Sequence, residues 1–115
     1  MITSLVVRAL VLLVTVVTLT GNAIGSPEAK ALLKTKACGS CHIIPGVKEA
    51  YGKAGPTLKD LRKRLRIVGG TLANNTKNLK AWLKDPKSKR PATLMPNMGL
   101  TDEEIEIIIE YLNRL

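Results

Sequence analysis

Apolar positions recur three and four residues apart in four stretches of this chain, and that spacing predicts four short helices. In residues 26–37 (SPEAKALLKTKA), Ala29, Leu32, Leu33 and Ala37 share a face. Ser26 suits the N-cap there, Pro27 the first helical position and Glu28 the first turn. In residues 57–66 (TLKDLRKRLR), Leu58, Leu61 and Leu65 give the same spacing, and Gly69 and Gly70 follow. In residues 76–86 (TKNLKAWLKDP), Leu79, Trp82 and Leu83 lie on one side, and Pro86 stops the helix because the residue before proline avoids helical geometry. Residues 101–115 (TDEEIEIIIEYLNRL) carry the strongest pattern. Thr101 and Glu104 form a capping box, the early acids face the positive end of the helix dipole, and Ile105, Ile108, Ile109 and Leu112 make the buried stripe with Tyr111 beside it. No stretch alternates as a strand does. Residues 43–57, 69–75 and 86–100 read as loops. The expected fold is small and all-α, with about four short helices and long loops that something at the centre must hold.

The first 25 residues do not belong to that domain. One positive charge, Arg8, precedes an apolar run over residues 9–19, followed by polar and small residues. The run is short against the ~20 apolar residues of a spanning helix. Ala23 and Gly25 sit two apart, as the small residues before a signal-peptidase cut do, so residues 1–25 read as a signal peptide cleaved before Ser26. A cut after Ala23 and an uncleaved membrane anchor are the alternatives. Either way, residues 26–115 are expected outside the cytoplasm, in the bacterial periplasm or on the outer face of the cytoplasmic membrane, where conditions are oxidising.

A domain of about ninety residues has a marginal core and commonly relies on disulfides, a metal or a cofactor. This one has no Phe, one Trp and two Tyr, so a large apolar ligand would fill a deficit of bulky side chains. The chain carries 18 Lys and Arg against 9 Asp and Glu, net +9, and without Arg8 the balance is 17 against 9, net +8. Such an excess implies an anionic partner: an acidic protein face, a membrane surface or nucleic acid.

Both cysteines and the only histidine fall within CGSCH, as Cys38, Cys41 and His42. A thioredoxin-type dithiol uses the same Cys spacing but belongs on a strand-to-helix junction, and no strand flanks it. Zinc needs four ligands, and the chain's Cys and His supply three. A lone Cys38–Cys41 disulfide closes a tiny loop and gains little. C-x-x-C-H is the attachment signature of c-type haem. Two thiols three apart at the end of a helix reach the two vinyl groups on one porphyrin edge and become thioethers, and the adjacent imidazole of His42 points at the iron. One covalently bound haem c is therefore the expected cofactor.

Around that site, CGSCHIIPGVKEAYGKAGPTLKDL and GTLANNTKNLKAWLKDPKSKRPATLMPNMGLTDEEIEIIIEYL resemble class I cytochrome c. They are most similar to the cytochrome c domain fused to subunit II of caa3-type haem–copper oxidases. The matching motifs run in order: the haem site, G-P-x-L at Gly55 to Leu58, N-L-x-x-W-L-x-x-P at Asn78 to Pro86, and M-P before the last helix. The resemblance implies a monohaem cytochrome c domain over residues 26–115. It implies Met95 as the second axial ligand, with Met98 three residues on as the alternative. His/Met ligation raises the potential, since a soft thioether favours ferrous iron. By the same resemblance, the carbonyl of Pro56 accepts a hydrogen bond from His42, Trp82 lies near a haem propionate and Arg64 pairs with one. Where the family often has Gly and an aromatic on the first helix, at its crossing with the last, this chain has Ala29 and Leu33.

The implied function is that of a one-electron carrier in a respiratory chain, cycling Fe(III)/Fe(II), rather than an enzyme. Its expected partner is the acidic face of a haem–copper oxidase subunit or other respiratory complex, met as a monomer. Lys36, Lys48, Lys53, Lys84, Lys87 and Lys89 are candidates for steering that encounter. Membrane contact is expected only through an uncleaved N-terminus, and nucleic acid is not an expected partner. The competing function is a haem c peroxidase or gas-binding sensor with an open sixth position. The absence of a second histidine argues against a peroxidase.

Overall fold

Helix α1 (Pro27–Thr35) and the last helix, α4 (Asp102–Leu112), pack against each other, and α2 (Thr76–Lys84) packs on α4 from another side. These elements belong to a computed structural model that describes residues 26–115. Residues 1–25, with the signal-peptide expectation attached to them, lie outside the described residues. Ala29 and Leu33 meet the Ile105, Ile108, Ile109 and Leu112 stripe in one core cluster. Ala29 and Leu33 are each 2% exposed, so the crossing is closed without glycine.

The helix ends follow the sequence. The Ser26 hydroxyl accepts from Ala29 N–H at 3.0 Å. The Asn75 side chain caps α2 by accepting from Asn78 N–H at 2.8 Å. Thr101 and Glu104 form the reciprocal capping box of α4, at 3.2 and 2.9 Å. Ion pairs Lys84–Asp102 (2.8 Å) and Lys80–Glu106 join α2 to α4. The Lys84 ammonium holds the Asp102 carboxyl below its usual range.

Three expectations are corrected. Residues 57–66 do not form a helix. They hold only a 3₁₀ turn at Leu61–Lys63 and then enter a two-stranded antiparallel sheet, β1 (Arg66–Ile67) with β2 (Leu72–Ala73), so strands are present. Leu61 is buried, Leu58 half-buried and Leu65 87% exposed, so the three leucines share no buried face. Side chains that take the backbone carbonyls explain the change. Asn74 Nδ2 donates to the carbonyls of Leu61 and Arg64, both at 2.9 Å. Arg64 Nη2 donates to the carbonyls of Thr57 (2.5 Å) and Lys59 (3.0 Å). Asp60 adopts φ +56°, which breaks a helix at that point. Lastly, residues 86–100, expected as loop throughout, open with a one-turn helix, α3 (Pro86–Lys89), in which Pro86 takes the first position.

Candidate functional site

The two thiols and the imidazole sit on one turn. Helix α1 ends at Thr35, Ala37 turns left-handed at φ +57°, and the 3₁₀ turn Cys38–Ser40 follows. The carbonyl of Cys38 accepts from both Cys41 N–H (3.2 Å) and His42 N–H (3.0 Å). Cys38 is half-buried and Cys41 exposed, and both are free thiols. Burial pushes the Cys38 thiol up, opposed by a backbone hydrogen bond, while the Cys41 sulfur adds to the rise and Lys36 works against it.

His42 is held by the 55–58 stretch. Its Nδ1 lies 2.7 Å from the Pro56 carbonyl. A carbonyl only accepts, so Nδ1 is the ring nitrogen that donates here, and Nε2 is the one left to face a metal. The backbone is fastened on both sides of this bond. Gly55 N–H donates to the Cys41 carbonyl (2.7 Å), and Leu58 N–H to the Ile43 carbonyl (2.9 Å). Gly52 N–H donates to the Gly39 carbonyl (3.0 Å).

Glycine is required for this closeness. A Cβ on Gly55 would stand 2.5 Å from His42 Cε1 and 2.8 Å from its Nδ1. A Cβ on Gly52 would stand 2.3 Å from the Ser40 carbonyl group, against main chain that cannot swing away. Sequence reasoning took Gly55 as part of a motif and passed over Gly52. Its signal was a second glycine three residues before Gly55, in the short stretch between Tyr51 and Pro56.

Tyr111, placed beside the stripe of the last helix by its sequence position, has a second role that spacing did not show. Its hydroxyl donates to the Pro45 carbonyl at 2.5 Å across 66 positions of chain, and its ring is 5% exposed. Burial pushes its hydroxyl pKa up. Pro45 and Gly46 belong to the loop that leaves His42, so α4 is tied directly to that loop.

The remaining predicted residues lie on other segments. Trp82 is half-buried on α2. Met95 and Met98, in the stretch between α3 and α4, are both half-buried and packed against the core. Met95 N–H donates to Thr93 Oγ1 at 3.2 Å. Arg64 is fastened to Thr57 and Lys59, directly downstream of Pro56. Of the lysines expected to steer a partner, Lys84 pairs with Asp102 and Lys36 with Glu104 (3.6 Å). Lys48, Lys53, Lys87 and Lys89 are exposed and make no ion pair among the described residues.

A family model described as Cytochrome c matches residues 26–115, the whole of the described domain. The chain belongs to the cytochrome c family. Curated relatives point the same way. "Cytochrome c oxidase subunit 2" of Alkalihalophilus pseudofirmus is 32% identical over 89 residues, covering 76% of this chain and 25% of the relative. The proteins of the same name from Bacillus sp. (strain PS3) and Bacillus subtilis (strain 168) are each 37% identical over 92 residues, again 76% of this chain. The chain thus spans about a quarter of the length of these relatives. A cytochrome c carries covalently bound haem c and transfers electrons through it, and the fold described above is the small helical class I form.

The residues suit that group. They offer two unpaired thiols three apart, one imidazole oriented through Nδ1, and half-buried apolar side chains such as Leu32, Leu58, Leu72 and Met95 that rest on the core without being enclosed by it.

Proposed function

We propose that this cytochrome c is a one-electron carrier whose haem is held by Cys38 and Cys41 and whose iron is ligated by His42 and Met95. The observation that carries the proposal is the His42 Nδ1–Pro56 carbonyl bond at 2.7 Å on the turn that also bears both thiols. Cys38 and Cys41 would hold the haem through thioethers to its vinyl groups, an addition of S–H across C=C that needs no leaving group and no oxidant. When bound, haem supplies a centre that gains and loses one electron.

The chain does the rest. The Pro56 carbonyl accepts from Nδ1, which fixes the ring plane and leaves Nε2 for the iron. Gly52 and Gly55 keep the backbone wall close, so His42 has little room to rotate. Met95 would supply the soft second ligand, and the Met95–Pro96 match with the family favours it over Met98. Arg64 and Trp82 would serve the haem propionates, as the family match implies. Electron delivery runs to a terminal haem–copper oxidase, a reading supported by the subunit 2 relatives. Export of the domain to the outer side of the cytoplasmic membrane follows from residues 1–25.

Mass spectrometry of the intact native protein tests the first half. One covalent haem added to a chain beginning near Ser26 is the expected result, and a mass equal to the bare polypeptide would refute it. The methionine-to-iron band at the red end of the oxidised visible spectrum tests the second half. Its absence would favour an open sixth position and a peroxidase or gas-binding role.

A further inference from the structure

One valine of this chain sits in a backbone conformation that its side chain resists. Val68, the first residue of the turn between β1 and β2, adopts φ +55°. Among the described residues, the other non-glycine residues at positive φ are Ala37, Glu49 and Asp60, so Val68 is the one β-branched member. A β-branched side chain is crowded there, and the conformation lasts only where its neighbours impose it. Here they do. The Val68 carbonyl accepts from Thr71 N–H (3.2 Å) and from Thr71 Oγ1 (2.7 Å). The Ile67 carbonyl accepts from Gly70 N–H (3.2 Å). Arg66 reaches the same turn, donating from Nε to the Gly70 carbonyl (2.5 Å) and from Nη2 to the Thr71 carbonyl (3.3 Å). Arg90 lies against Gly69, where a Cβ would stand 2.7 Å from its Nη1.

Holding this turn shut does not call for valine. Gly69 and Gly70 follow at φ +61° and +87°, and a third glycine at position 68 would take φ +55° as freely. What valine adds is its side chain. Ile67 beside it is buried, whereas Val68 is half-buried and rests on the core without being enclosed by it. Leu58, two residues past the Pro56 prop of His42, and Met95 share that half-buried state. A half-covered isopropyl group recovers only part of its burial energy from the polypeptide. An apolar group laid over the remainder supplies the rest. The haem of a cytochrome c is a broad apolar group of that kind.

We propose that Val68 is a haem-contact residue: the strained turn presents its isopropyl group to the porphyrin, and that contact offsets the strain. The β1–β2 hairpin then does more than link two segments. It sets one apolar side chain against the cofactor and keeps water from that part of the ring, which biases the iron toward the lower charge of Fe(II). The inference rests on the chain being a cytochrome c and not on which residues ligate the iron.

Valine methyl NMR on the haem-loaded protein tests this. Residues 26–115 hold two valines, Val47 and Val68, and a Val68→Ile variant identifies the Val68 methyl signals by their loss. At least one of them is expected outside the ordinary valine methyl range in the reduced protein, displaced by the porphyrin ring current. It is expected to move again on oxidation, as the magnetism of the iron changes. Val68 methyls at ordinary positions in both states overturn the proposal. Two further variants weigh strain against contact. Val68→Gly frees the backbone and removes the side chain, and its chemical denaturation midpoint is expected below that of the parent. A midpoint above the parent would mean that nothing offsets the strain, and the proposal fails. Val68→Thr keeps the branch and the strain but puts a hydroxyl in place of a methyl. Its reduction potential is expected to fall with the visible spectrum otherwise kept. An unchanged potential would make Val68 a core residue only and would also end the proposal.

Discussion

The two segments assigned to the haem are built differently. Residues 38–58, bearing Cys38, Cys41 and His42, are closed by bonds that span many residues: Gly52 to Gly39, Gly55 to Cys41, Leu58 to Ile43, His42 to Pro56, and Tyr111 to Pro45 from the far end of the chain. Residues 91–100, bearing Met95 and Met98, make only local hydrogen bonds among the described residues. Thr93 N–H reaches Arg90, Met95 N–H reaches Thr93, and Gly99 N–H reaches Asn97. Leu100 is the buried anchor of that stretch, while Leu94 is 92% exposed. The histidine side is set by the polypeptide itself. The methionine side relies on short turns and on whatever it contacts across the site. Rigidity in this small domain is therefore concentrated where covalent attachment is proposed.

Four experiments can break or sharpen that contrast. The largest effect is expected from Gly52→Ala and Gly55→Ala, which push a methyl into main chain or into the His42 ring. Each should cost about 3 kcal/mol or more in chemical denaturation and reduce covalent haem yield. A variant as stable as the parent would mean the wall is soft. Next, Met95→Ala should abolish the methionine-to-iron band and lower the reduction potential. Met98→Ala should keep the band and cost about 1–2 kcal/mol of packing. The reverse outcome would move the ligand to Met98.

Tyr111→Phe removes the bond to Pro45 and should cost about 1–2 kcal/mol. Its pH dependence carries a sign. The buried hydroxyl has its pKa raised in the fold, so the unfolded chain loses that proton first as pH climbs past about 10. The parent should therefore lose stability in that range with a slope that the phenylalanine variant lacks. Identical alkaline slopes would refute the coupling. The smallest effect is expected on the methionine side, where Thr93→Val removes the acceptor of Met95 N–H and should cost about 0.5 kcal/mol. A loss as large as that of Tyr111→Phe would erase the asymmetry.

The sequence made some of this legible. α4 carries its own start signal in Thr101 and Glu104 and its own stripe, and both operate in the fold. Residues 57–66 had equally good leucine spacing and no such signal. What decides their shape lies outside the stretch, in Asn74, whose amide takes two of their carbonyls. Periodicity records which side chains are apolar, not which groups compete for the backbone. CGSCH and the Pro56 prop were readable because their chemistry is local or follows a family motif. The roles of Gly52 and Tyr111 were not, because both depend on contacts between distant parts of the chain that spacing does not encode.

The Tyr111–Pro45 bond sets an order of events. Synthesis delivers the Cys38–His42 turn more than sixty residues before the hydroxyl that ties down the loop beside it. Until α4 is complete and docked on α1, that loop lacks its last fastening. The loop beside the thiols is thus fastened last, when the C-terminal helix docks. In this domain the final residues act as the latch on chemistry begun near the start.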